Sequence, residues 1–458
     1  MRHYRTFLIF GLPLLLLFSL VSCKDTGVDT EAVTVDFWAQ RMDTSDWYQV
    51  TGVLTYEGDY SIIFVEEDYT GDVTPEDARE ISEEFDGSIY PLITSKFGEA
   101  SDQDNDGKIT ILILDILDGG SETSYVAGYF DATHELSSES NSYSNERDML
   151  FMDCDPGVPG SSQFNMTMAH EMQHLVNFNR EYLSDEDGNG SADGDLMDTW
   201  INEGLSSAAE YLYNGSQISI KVDMYNNEAY GVRSEIQGGT NFLKWNNELA
   251  NYSTVYLFFQ WLRIHADNGD GIYKDILNHV EPDYTAVEDA ANDNPLFSGH
   301  DWHSLLRDWF IANQLNQDTG IYGYGNDPVL DLNPPYHGGN DEVTLSPGEA
   351  VYVDLETPGI IDLTPGTDID YAGIKFDPDV IDTEPDGGGY DAEVLLSYNH
   401  NGNPGENGEL TETLPLGSVL PGGQSNSSRG FSSVQLPGQP IPIGVIFNPD
   451  GTSSQGVE

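Results

Sequence analysis

The chemistry-bearing residues of this chain centre on Ala169-His170-Glu171-Met172-Gln173-His174-Leu175. Histidines at i and i+4 leave a helix from one face, a turn apart, where both rings reach one zinc ion. Glu171 is turned about 100° round the helix from His170, so it sits beside the metal position and not on it. There it can take a proton from a water that the metal acidifies towards a pKa of about 7. A catalytic zinc site needs a third ligand and keeps a fourth position open. Two acids in the stretch Trp200-Ile-Asn-Glu-Gly-Leu-Ser-Ser-Ala-Ala-Glu-Tyr-Leu212 qualify: Glu203 and Glu210, seven residues apart and so on one helix face.

These residues need two helices to carry them. Phe164, Met168, Met172 and Leu175 recur at helical spacing, which predicts an amphipathic helix packed on a core. Ile201, Leu205, Ala208 and Leu212 form a second stripe, with Asp198 placed to N-cap it. Glu203 lies off that stripe, free to face the first helix. The polar run Ser184 to Gly194 is a loop that lets the two helices pack antiparallel.

Around them the texture changes along the chain. Tyr60 to Val65 is a short β-rich run, and Ile109 to Leu117 reads as a buried strand. Pro75 to Phe97 has helical spacing, with Ala78, Ile81, Phe85, Ile89 and Leu92 near one face. Residues of about 160–320 are mostly helical, and Trp302 to Leu315 reads as scaffold. After residue 326, Gly, Pro and Asn become frequent. The strand-like runs Val351–Leu355, Ala392–Tyr398 and Ile441–Phe447 are separated there by turn residues. The expected fold class is α+β. A mixed sheet plus zinc-binding helices fills 36–326, with an α/β part at 36–160 and a helical part at 161–326. A small all-β sandwich follows at 327–458.

Composition narrows the partners. The chain has 458 residues, 38% hydrophobic and 11% aromatic, enough to bury a sizeable core. Lys and Arg number 17 against 79 Asp and Glu, a formal charge of -62. That excludes nucleic acid as a partner, because phosphate binding needs clustered basic residues. The acids are spread along the chain, which fits a saline exterior or a calcium-rich surface. Arg2, Arg5 and the apolar run Phe7 to Val21 form a signal peptide, residues 1–22. Leu20-Val21-Ser22-Cys23 resembles the bacterial lipoprotein lipobox. That resemblance implies cleavage before Cys23, lipidation of Cys23, a tether over 23–35, and export to a membrane at the cell surface or in the periplasm. Cys154 sits between Asp153 and Asp155, which raises a thiol's pKa and argues against a nucleophile.

His170-Glu171-x-x-His174 followed by Asn202-Glu203-Gly204 resembles the gluzincin metallopeptidases. Further stretches resemble the hyicolysin family of that group: Phe85-Asp-Gly-Ser-Ile-Tyr-Pro91, Asp102-Gln-Asp-Asn-Asp-Gly107, Ala127-Gly-Tyr-Phe130 and Asn177-Phe-Asn179. The resemblance covers roughly 58–325. It implies a zincin-like fold with zinc as cofactor, Glu203 as third ligand and Glu210 outside it. The implied activity is metalloendopeptidase hydrolysis of a peptide or protein substrate, by a chain read as a monomer. Tyr252 opens a helix much as a tyrosine does in gluzincin aminopeptidases, where it donates to the oxyanion; simple packing is the alternative for Tyr252. A rival function is a catalytically silent peptidase-fold lipoprotein acting as an adhesin or binding protein.

Asp102-x-Asp104-x-Asp106-Gly107 matches the first half of an EF-hand loop, a candidate calcium site. The twelfth position is Ile113 where a bidentate Glu is expected, so another acid such as Asp115 would have to close the loop. A solvated acidic turn is the alternative. His134-Glu135 lacks a second histidine at zinc spacing and reads as surface.

Overall fold

A computed structural model of the chain describes residues 32–120, 125–183, 194–228, 231–338, 344–376, 379–384, 389–403 and 441–445. The signal segment, Cys23, nearly all of the Ser184–Gly194 loop and the residues after 445 lie outside the described residues.

The strands of the first sheet are β1 (Thr34–Gln40), β2 (Trp47–Glu57), β3 (Ser61–Glu66), β4 (Ile109–Leu114), β5 (Val126–Phe130) and β6 (Met149–Asp153). They lie in the order β1-β2-β3-β4-β6-β5. β3, β4 and β6 run parallel; β1, β2 and β5 pair antiparallel with their neighbours. Parallel strands are normally covered on both faces, and β4 is buried at every residue. Its side chains alternate between two cores, as a period of two demands. Ile111 and Ile113 enter the large helix-covered core. Leu112 and Leu114 enter a second core with Phe37, Val50, Phe64 and Phe151, all of them strand residues, so this face of the curled sheet packs on its own side chains.

The region expected to be one helix over 75–97 is three helical pieces. α1 (Pro75–Glu84) passes into a π-helical turn at Phe85–Ile89 and then into α2 (Tyr90–Lys96). The Tyr90 N–H reaches back to the Phe85 carbonyl. Pro91 explains this: it has no N–H, and its ring displaces the carbonyl one turn earlier. The extra residue keeps both Phe85 and Ile89 buried against the sheet.

The helical region comprises α3 (Ser162–Glu181), α4 (Thr199–Asn214), α5 (Ser219–Asn226), α6 (Val232–Gln237), α7 (Leu249–His265), α8 (Gly271–Leu277), α9 (Tyr284–Asn292) and α10 (Trp302–Leu315). The all-β region follows, as β7 (Ala350–Ile361), β8 (Ile369–Phe376), β9 (Asp379–Asp382) and β10 (Tyr390–Asn399). These form an antiparallel sheet in the order β7-β10-β8-β9. One face, with Tyr352, Ile374, Val394 and Leu396, joins the helix-covered core. The Tyr352 hydroxyl bonds the Phe310 carbonyl at 2.7 Å. Among the described residues, the layer facing this sheet is helical. The last expected strand, β11 (Ile441–Val445), adds antiparallel to β5 at the far edge of the first sheet.

Candidate active site

α3 begins at Ser161, whose hydroxyl accepts from the Phe164 amide at 3.2 Å. The sequence predicts an amphipathic helix, but Thr167 to Phe178 is buried without interruption. The sheet covers one side of α3 and α4 the other, so no face is left for water. α4 runs antiparallel to it, as the cross-helix pairs show: His170 meets Glu210, His174 meets Asn202 and Ser206, and Asn177 meets Met197. Asp198 stands at the N-cap of α4, yet its side chain makes no cap bond and instead accepts from the Trp200 indole at 3.3 Å.

His170, His174 and Glu203 converge, with one ligand atom from each inside a 4.8 Å sphere of mutual distances. The two Nε2 atoms are 3.1 Å apart, and Glu203 Oε2 lies 3.4 Å from His170 Nε2 and 3.8 Å from His174 Nε2. Ligands about 2.05 Å from a tetrahedral metal are about 3.3 Å from one another. All four residues of the set, Glu171 included, are 0% exposed. Neither oxygen of Glu171 or of Glu203 has a hydrogen-bond partner. Buried carboxylates left unpaired are costly, and a divalent cation between the two rings and Glu203 removes that cost. The donor set therefore fits zinc.

Electrostatics agree with this reading. Burial, reinforced by the Glu203 charge, raises the Glu171 pKa well above the ordinary carboxylate range, and the nearby Phe130 amide only partly opposes it. Burial likewise raises Glu203, against the pull of His170. Burial, with His170 as neighbour, depresses His174 well below an ordinary imidazole, so its ring is neutral.

Glu210 stands outside the converging group. Its Oε1 accepts from His170 Nδ1 at 2.6 Å and from Lys221 Nζ at 2.7 Å. Burial alone would raise its pKa, but Lys221 and His170 outweigh burial and bring it down to about 2. Sequence reading missed two supports of the histidines. Asn202 Oδ1 is 2.9 Å and Ser206 Oγ 3.0 Å from His174 Nδ1. Helical spacing alone could have flagged Ser206, which lies three residues after Glu203 on α4.

Gly204 has a steric reason. A Cβ there would stand 2.3 Å from the ring of Phe259 on α7, so glycine lets α7 approach α4. Tyr252 lies in the first turn of α7 and is buried, with its ring edge-on to Trp245 at 4.8 Å. Burial raises its pKa well above 10, and the charges of Glu203, Glu171 and Glu210 add to the shift. The tyrosine thus lies within reach of the charges of these acids, and its hydroxyl stays protonated.

The Asp102, Asp104 and Asp106 carboxylates also come together, within 4.8 Å of one another at an exposed loop. Gly107 takes a left-handed φ of 73° there, and its amide bonds Asp102 at 3.0 Å. Ile113 is fully buried in β4 and offers no ligand. Asp115 follows the other end of β4, about 20 Å along a six-residue strand, so it cannot close this loop. It bonds Tyr69 instead, at 3.1 Å. The acid bonded to the loop is Asp148, which accepts from the Gln103 amide at 2.6 Å.

His134 and Glu135 are not on the surface. A 3₁₀ turn after β5 tucks both inside, where the His134 ring is 5.0 Å from Phe151 and Glu135 bonds Ser101 at 2.6 Å. Cys154 is a free thiol whose pKa is raised, first by burial and then by Asp153. Among the described residues, no helix is long and apolar enough to cross a membrane.

No protein-family model matches the chain. It is 31% identical over 352 residues to the neutral metalloprotease ShpI of Staphylococcus hyicus, covering 74% of this chain and 76% of that protein. With that likeness spanning most of both proteins and His170, His174 and Glu203 converging in the fold, the chain belongs to the hyicolysin-like neutral metalloproteases and is a zinc metallopeptidase of the gluzincin type.

Proposed function

We propose that the protein is an exported metalloendopeptidase in which His170, His174 and Glu203 hold zinc, Glu171 is the general base and Tyr252 the oxyanion donor. The observation that carries this is the buried convergence of two imidazoles and Glu203 beside an unpaired Glu171. Zinc bound there supplies Lewis acidity and a water acidified towards neutral pH. Glu171 takes the water's proton at a carboxylate oxygen and returns it to the departing amine nitrogen. Tyr252, kept protonated, donates its O–H to the carbonyl oxygen as charge develops there. Tyr252→Phe should then lower kcat by about 10²–10³-fold with zinc content unchanged. Loss of less than about threefold would reduce Tyr252 to a packing residue.

The substrate reading is an extended peptide adding to β5. Its support is that β5 ends beside Glu171, at Phe130; β11 pairs with that edge here, so the peptide would take the place of β11. Cleavage of unfolded casein at internal bonds, in high salt, tests endopeptidase action; release of terminal residues alone would contradict it.

Lipidation at Cys23 belongs to the same reading and rests on Leu20-Val21-Ser22-Cys23. Cells fed labelled palmitate should label the parent and not Cys23→Ser; equal labelling would refute the anchor. Calcium at Asp102, Asp104 and Asp106 would act as a structural ion ahead of β4. Added calcium should raise the melting temperature of the parent and not of Asp104→Asn.

A further inference from the structure

The zinc centre rests on a buried cation that the reaction itself does not use. Lys221 lies on α5 and is 8% exposed. Its Nζ donates to Glu210 Oε1 at 2.7 Å and to Ser207 Oγ at 3.0 Å. The same Glu210 oxygen accepts from His170 Nδ1 at 2.6 Å. The lysine is itself held: its carbonyl accepts from Ser253 Oγ of α7 at 2.6 Å, and its ammonium lies 5.8 Å from the Tyr256 ring centre. Three helices thus meet at one carboxylate oxygen, one turn of chemistry away from the metal position.

A purely structural role accounts poorly for this arrangement. Lysine is almost never buried unless paired, and well-packed apolar residues usually serve stability as well as a buried ion pair does. The two histidines also differ in support. His174 Nδ1 faces the neutral Asn202 and Ser206, whereas His170 Nδ1 faces a carboxylate that a lysine pins. Partners of the non-ligating nitrogen fix a metal-binding histidine's tautomer and ring orientation.

We propose that Lys221 is a positioning residue of the zinc centre: it holds the Glu210 carboxylate against His170 Nδ1–H, so that His170 presents an unprotonated Nε2 to the metal. This rests on the zinc reading above. Lys221 touches neither substrate nor metal, and it reaches His170 through Glu210.

The test measures zinc affinity of the full-length protein by competition with a chromophoric chelator, alongside kcat and KM at saturating zinc. Lys221→Met should weaken zinc binding by about 10–100-fold and lower kcat, with KM within about twofold. Lys221→Gln, polar and of similar length, gives the same reading should the apolar variant fold badly; melting of the zinc-free forms reports folding separately. Glu210→Gln should weaken zinc binding at least as much, and the Lys221→Met/Glu210→Gln double variant should be no worse than Glu210→Gln. The proposal is overturned if Lys221→Met binds zinc as tightly as the parent, or if the two single losses multiply in the double variant. A parent that binds no zinc would instead bring down the zinc reading, and this inference with it.

Discussion

Glu171→Gln is expected to lower kcat by about 10²–10⁴-fold, the range a positioned general base supplies, while the protein still takes up zinc. The substitution keeps the shape of the side chain and removes only its capacity to accept a proton. It should not harm the fold. Glu171 is fully buried and neither oxygen is hydrogen-bonded, so its charge is a burden to the metal-free protein. The sign follows from burial and Glu203 raising its pKa. The native metal-free state then holds a proton that the unfolded chain has released, and stability falls as pH rises above the ordinary carboxylate range. Glu171→Gln abolishes that share of the slope, so the metal-free variant should melt no lower than the metal-free parent at pH 8. A variant that lost zinc together with activity would mean that Glu171 is a ligand and not a base.

Glu203→Gln is the second large effect, and Glu210→Gln is its control. Glu203 Oε2 lies 3.4 Å from His170 Nε2, on the side where the candidate ligand atoms converge, whereas Glu210 bonds the opposite ring nitrogen, Nδ1, at 2.6 Å. Loss of a ligating carboxylate should weaken zinc by more than the 10–100-fold typical of an outer support, and activity at micromolar zinc should vanish. Glu210→Gln should stay within that 10–100-fold range and recover activity when zinc is raised. Equal losses from the two variants, or the larger loss from Glu210→Gln, would reverse their roles.

How much of this was legible in the sequence depended on how local the information was. His170, Glu171 and His174 share one helix, so their geometry follows from 3.6 residues per turn. Glu203 required a second helix and an antiparallel packing, and the apolar stripe Ile201, Leu205, Ala208 gave its orientation. Lys221 was not legible. It comes from a third short helix, and nothing in Ser219-Ile-Lys-Val-Asp-Met-Tyr-Asn226 marks a buried lysine. His134 and Glu135 looked like surface because polar residues usually are; a tertiary turn after β5 put them inside. The π-helical turn at Phe85–Ile89 interrupts a pattern that fits an unbroken helix nearly as well. The partner of β11 was likewise beyond local reading. A strand pattern declares its alternation but not its neighbour, and Ile441–Val445 pairs with β5, more than 300 residues earlier.

The most direct test of the account is to strip the purified protein of metal with a chelator, return zinc in measured steps, and follow both bound zinc and hydrolysis of unfolded casein. The account predicts no hydrolysis in the stripped protein and a linear recovery that ends at about one zinc per chain. Hydrolysis that survives complete removal of zinc, or one tightly bound zinc with no return of hydrolysis, would contradict it.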